Sequence, residues 1–120
     1  MNKEEMADHM ADMVQNEFGL REAGQKEYAH IDINAFANFE RIGSALNLKP
    51  EEVLWVFFLK HVDGITAFIL GHKDQRESIH GRIADARVYL ALLDGMIADQ
   101  EATNSSKELY EEVFGDQRNI

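Results

Sequence analysis

Residues 51–70 read EEVLWVFFLKHVDGITAFIL, and the fold turns on the fact that this helix-period stretch is apolar almost all round. Val53, Leu54, Val56, Phe57, Phe58, Leu59, Val62, Ile65, Phe68 and Ile69 surround the axis, a pattern that belongs at the centre of a bundle or in an interface between copies. Pro50 at the first helical position and Glu51 and Glu52 in the first turn mark the start, because unpaired N–H groups there favour carboxylates. Gly71 marks the stop. The apolar run VLWVFFL is far short of the ~20 residues that cross a bilayer.

The same period extends in both directions. Upstream, Met6, Met10, Met13, Val14 and Phe18 make a stripe over a helix from Glu4 to about Tyr28, with Gly19 and Gly24 as weak points. AHIDIN connects it to a short helix through AFANFERIGSAL, capped by Asp32 or Asn34 and facing inward with Phe36, Phe39, Ile42 and Leu46. Downstream, Ile79, Ile83, Ala86, Leu90, Leu93 and Ile97 form a core stripe, with DQRE reading as a capping box from Asp74 to Glu77. A last short helix at about 105–114, capped by Ser105 or Ser106, precedes a tail at 115–120 that should fray. One proline and almost no alternating β-branched residues leave strands without support. The expectation is one all-α domain over 1–120 with its core in 4–101: a four- to five-helix bundle, central third helix, oligomeric.

Composition narrows the function. Twenty-two acids against twelve bases give a net charge of −10, which disfavours direct nucleic-acid binding through a phosphate grip. Absent cysteine removes disulfides, thiolate metal sites and a cysteine nucleophile, and the N-terminus MNKEEMADHM lacks the apolar run of a signal peptide. A soluble cytoplasmic protein without a membrane segment is expected. Catalytic triads, zinc signatures and phosphate-binding glycine loops are missing from the sequence.

Polar residues in apolar segments are the remaining clue. KHVDG places Lys60, His61 and Asp63 inside the third helix. A buried carboxylate there must be paired, hydrogen-bonded or metal-bound. Asp63 can pair with an arginine or open to solvent; alternatively it joins acids of other helices, Glu77, Asp85, Glu27 or Glu40, around a hard cation such as Mg²⁺. Asp85 lies on the line Asp85, Tyr89, Leu92, Met96 beside the core stripe and is the strongest single candidate. Gly81, midway between Glu77 and Asp85, leaves a gap at a cost of about 1 kcal/mol against Ala.

Three stretches in order, KEYAHIDINAFANFERIG, LKPEEVLWVFFLKHVDGI and ESIHGRIADARVYLALL, resemble small phage and prophage proteins of the nucleotide modification associated domain type. The likeness runs from about Gly24 to Ile97. It marks Lys26, Glu27, Tyr28, Asn38, Phe39, Lys60, Glu77, Asp85 and Tyr89, and departs from the family pattern at Glu27, Ala29, Asp63 and Gly81. More distantly the layout is similar to MazG-type all-α nucleoside triphosphate pyrophosphohydrolases, although their E-E-x-x-E and E-x-x-D signature is not present. The resemblance implies a phage-type protein that binds a (deoxy)nucleoside triphosphate in the host cytoplasm, and leaves open whether it also hydrolyses it. Asp63, Glu77 and Asp85 would hold Mg²⁺, Asp85 and Asp63 would serve catalysis, and Lys26, Tyr28, Asn38, Lys60, His61 and Tyr89 would contact the nucleotide. The alternative is a non-catalytic acidic protein that engages a host enzyme or imitates DNA. Self-association through Trp55, Phe57, Phe58 or their neighbours is expected in either case.

Overall fold

Asn2 starts the first helix: its Oδ1 accepts from the Glu5 N–H at 2.8 Å while the Glu5 carboxylate accepts from the Asn2 N–H at 2.9 Å, a reciprocal capping box. The chain is described by a computed structural model over residues 1–29 and 34–115. The described elements are helical throughout: α1 (Lys3–Gly24), continued by a π-helical turn (Gln25–Ala29), then α2 (Ala37–Leu46), α3 (Pro50–Ile69) and α4 (Ile79–Phe114). The expected Asp32 cap, the side chain of Tyr28 and the expected fraying of 116–120 lie outside the described residues.

Local chemistry sets most boundaries. Gly19 does not interrupt α1, whereas Gly24 is where the α-helix gives way to the π turn. Asn34 Oδ1 accepts from the Phe36 N–H at 3.0 Å, an Asx turn that leads into α2. Asn47 then ends α2 in the left-handed conformation, φ 57°, which asparagine tolerates. Ahead of α3 the Glu52 carboxylate accepts from the Lys49 N–H at 3.0 Å, and Gly71 at φ 106° stops the chain after the helix.

Gly43 permits the tight return from α2 to α3. It is buried, and the Leu48 N–H donates to its carbonyl at 2.9 Å. A β-carbon there would meet the Leu48 carbonyl oxygen at 2.5 Å, a backbone atom that cannot swing aside. Gly43→Ala is therefore expected to destabilise by about 1–3 kcal/mol, the range for overpacking. Gly19→Ala, with open space around its position, gains up to about 1 kcal/mol of helix propensity instead. Urea titrations of both variants check this opposition of sign.

Two expectations about α4 need correction. Its start is capped by Ser78, whose Oγ accepts from the Gly81 N–H at 2.9 Å, and not by an Asp74–Glu77 box. It also runs unbroken to Phe114, so no separate helix begins at 105–106. No proline or glycine separates Gly95 from Gly115, and serines alone do not stop a helix.

The core is formed by Phe39, Val53, Leu54 and Met96, with Phe36, Ile42, Phe57, Tyr89, Leu92 and Leu93 packed against them. Of the expected stripe on α4, Ala86 is buried and Leu93 packs on the core, but Leu90 and Ile97 are exposed, so the buried face is rotated part of the way toward the line Asp85, Tyr89, Leu92, Met96. The hub is α4, which packs against both α1 and α3, while α3 also receives α2. The assembly is elongated, 67 × 39 × 30 Å, with a radius of gyration of 19.2 Å. A compact domain of this length has about 14 Å. No helix of the described residues is long and apolar enough to cross a membrane.

Candidate functional site

The rotated face of α4 carries Asp85 inward with it, opposite the inward face of α3. There His61, only 9% exposed, continues the buried line of Leu54 and Phe57. Its Nε2 lies 4.0 Å from Asp85 Oδ2. Glu77, immediately before the Ser78 cap, supplies a third group, and one ligand atom from each of His61, Glu77 and Asp85 falls within 4.8 Å of the others. Three separate features meet here: the face of α3, the approach to α4, and the second turn of α4.

Burial pushes the Asp85 carboxyl above the usual carboxylate range; the neighbouring His61 works against this and the like charge of Glu77 adds to it. His61 Nδ1 is buried without a hydrogen-bond partner, and its ring lies 5.5 Å from that of Tyr89. Tyr89 packs in turn with Phe39 and Phe57 at centroid separations of 6.3 and 6.4 Å. An aromatic floor thus lies beside the polar trio.

Arg82, three residues before Asp85, is turned toward Glu77, with Nη1 3.9 Å from Oε2. Gly64 makes room for it: a β-carbon on Gly64 would lie 2.6 Å from Arg82 Cζ. Gly81 has a local role, since it donates to the Ser78 cap and a β-carbon would come within 3.0 Å of that hydroxyl. The expected gap is therefore filled by the helix start.

These groups border a cleft of about 540 Å³ between the end of α1, α2, α3 and α4. That volume is within the range of small-molecule sites, ~300–1,000 Å³. Of the residues expected from the sequence, Asn38, Lys60, His61, Glu77, Asp85 and Tyr89 line it, as does Glu27. Lys26 is exposed and is not among the lining residues, and Glu40 is held by Asn34, whose Nδ2 donates to Oε2 at 2.7 Å. Asp63 is exposed and lies outside the trio, which matches the solvent-open alternative and not a place around the shared cation. The helical offset of about 200° between His61 and Asp63 turns one inward and the other to solvent.

Two cations escaped the reading of the sequence. Arg21 and Arg41 also line the cleft, Arg21 fixed by donating to the Ala35 carbonyl at 3.1 Å. Arg21 lies in the last turn of α1 and in no motif, whereas Arg41, mid-way along α2, belongs to the NFERI stretch of the resemblance but was given no role. No family model, curated protein or solved structure matches the chain.

Proposed function

We propose that the chain binds a (deoxy)nucleoside triphosphate in this cleft through a divalent cation and hydrolyses it. The observation that carries the reading is the convergence of His61, Glu77 and Asp85 in a cleft bordered by Arg21, Arg41 and Lys60. Acids and bases brought to one concavity suit a phosphate chain with its counter-cation. Two carboxylates fit Mg²⁺, and the imidazole extends the fit to Mn²⁺.

A bound cation would neutralise phosphate charge and polarise the phosphoryl oxygens. Glu77 and Asp85 would hold it, with His61 beside them. Lys60, Arg41 and Arg21 would meet the phosphates, while Asn38 and Tyr89 would contact sugar or base. Lys26 and Asp63, expected from the sequence, lie outside the cleft lining and take no part in this reading. Water attacking phosphorus would displace the remaining phosphate or pyrophosphate as the leaving group, and its proton would pass to whichever of the Glu77 and Asp85 carboxylates is not engaged by the cation. Were the family likeness to hold, the setting would be a phage-infected cytoplasm, and self-association belongs to the same reading.

The test is a panel of nucleoside and deoxynucleoside triphosphates with Mg²⁺ or Mn²⁺, scored for released phosphate or pyrophosphate and for thermal shift. At least one nucleotide should be turned over. A flat panel with no thermal shift removes the proposal. The exposed acids Glu4, Glu5, Asp8 and Asp12 of α1 favour the second reading, an acidic surface for a host enzyme. That reading requires a partner retained from host lysate at physiological salt.

A further inference from the structure

A helix that is apolar all round and packed on one side leaves an apolar face on the other. The inward face of α3 holds Val53, Leu54, Phe57 and His61; opposite it run Trp55, Leu59, Val62, Thr66 and Ile69, spaced four, three, four and three. This is the spacing of a two-helix seam. Trp55 is 44% exposed, Leu59 43% and Ile69 74%. Exposure of a tryptophan and several aliphatics along one 20-residue helix is a cost that a second surface can remove.

The whole-molecule area gives the scale. The chain exposes 9379 Å², whereas a folded monomer of 13.7 kDa exposes about 6,600 Å². The excess, about 2,800 Å², is several times the ~800 Å² that each partner contributes to a standard interface. A second copy therefore has ample area to cover.

Electrostatics locates the contact. Other exposed apolar residues, Met6, Met10 and Val14 on α1, and Leu109, Val113 and Phe114 on α4, are flanked by acids: Glu5, Asp8 and Asp12 in the first case, Glu108, Glu111 and Glu112 in the second. Pairing either surface with its own copy brings like charges together in a chain already at −10. From Trp55 to Ile69, Lys60 and Asp63 cancel.

We infer that the outward seam of α3, Trp55–Leu59–Val62–Thr66–Ile69, is the contact of a twofold homodimer, with two α3 helices antiparallel and Val62 nearest the axis. This rests on the self-association part of the proposed function and specifies its surface. Phe57 and Phe58, expected at the interface, are half-buried within the chain, with Phe58 stacked on Trp55 at 4.8 Å. The cleft is on the other side of α3, so dimerisation and cation binding can fail separately.

Sedimentation equilibrium of the full chain should give twice 13.7 kDa at tens of micromolar, and association should tighten as salt is raised, since screening relieves repulsion between two acidic copies. Leu59→Asp should weaken the dimer at least ~30-fold, the size of an interface hot spot, with helicity retained and the cation response of the cleft unchanged. A 13.7 kDa species throughout overturns association itself. A dimer that survives Leu59→Asp but is lost in Met10→Asp overturns the seam alone. If Leu59→Asp loses helicity, the natural lack of cysteine provides a second route. Val62→Cys should oxidise to a disulfide-linked dimer, and cross-linking no greater than that of Met10→Cys overturns the proposal.

Discussion

Leu54→Ala should cost about 2–5 kcal/mol and lower the urea midpoint by on the order of 2 M, the largest stability loss expected of a single truncation in this chain. Leu54 is wholly buried, 0% exposed, among Phe39, Val53 and Met96. Its removal forfeits the transfer of the side chain from water, about 1.5–3 kcal/mol, and leaves a cavity whose walls belong to three helices that cannot all collapse inward. A domain of this size has roughly 5–15 kcal/mol in total, so the variant keeps its fold with a narrow margin. The control is Ile97→Ala, at a position 44% exposed, which should cost under about 1 kcal/mol. Equal losses at the two positions would mean that the core is elsewhere. The denaturant slope should be unchanged, since the same surface is exposed on unfolding.

The contrast between Leu54 and Ile97 also shows what the sequence could and could not convey. Helix ends were legible where chemistry is local: Pro50 and Glu52 at the start of α3, Gly71 after it. Helix faces were legible only where one side is polar. On α4 two adjacent lines, Ile79 to Ile97 and Asp85 to Met96, are both apolar. The choice between them depends on where α1 and α3 press, which no single segment encodes. On α3 the all-round apolarity that announced an interior helix also concealed which side was inside. Whether Asp63 faced solvent or the other acids stayed open for that reason.

The candidate site was legible in the same partial way. Asp85 stood out because it had no local structural role on an otherwise apolar line, and it is indeed partly buried beside His61. Its relation to Glu77 and His61 depends on the pairing of α3 with α4 and on the Ser78 cap, so it appeared only in three dimensions. Arg41 lay within the NFERI stretch without being assigned a role, and Arg21 carried no signal at all. A surface arginine on a helix has the same pattern whether or not a cleft opens beside it.

Asp85→Asn should abolish the response to divalent cation while leaving the apo fold as stable as the parent or slightly more so. The sign follows from burial. The folded pKa of Asp85 is raised above its ordinary value of 3.8, so the native state binds a proton more tightly than the unfolded chain. Its favourable contribution is complete below that ordinary value and is lost as pH rises through the raised one; at neutral pH the ionised carboxylate is held at a net cost, which an amide does not carry. A cation at His61, Glu77 and Asp85 reverses the balance, because it favours the ionised form. At one hundred times the dissociation constant, a ligand specific for the native state adds about 2.7 kcal/mol, a melting shift on the order of 10 °C for a chain of this size.

The parent with Mn²⁺ should show that shift. Asp85→Asn should show none and should lose affinity by more than the ~10–100-fold that accompanies removal of a mere supporting partner of a metal ligand. Asp94→Asn, an exposed change further along α4, should behave as the parent. Acidification supplies the independent check. The cation must displace the proton of Asp85, so binding should weaken at a pH above that at which an unperturbed aspartate, near 3.9, would lose it, with protons released on binding in that window. A thermal shift that persists in Asp85→Asn would place the cation elsewhere. A response indifferent to pH down to the ordinary aspartate range would separate Asp85 from the cation, because a partly buried carboxylate that ligates a metal cannot be blind to its own proton.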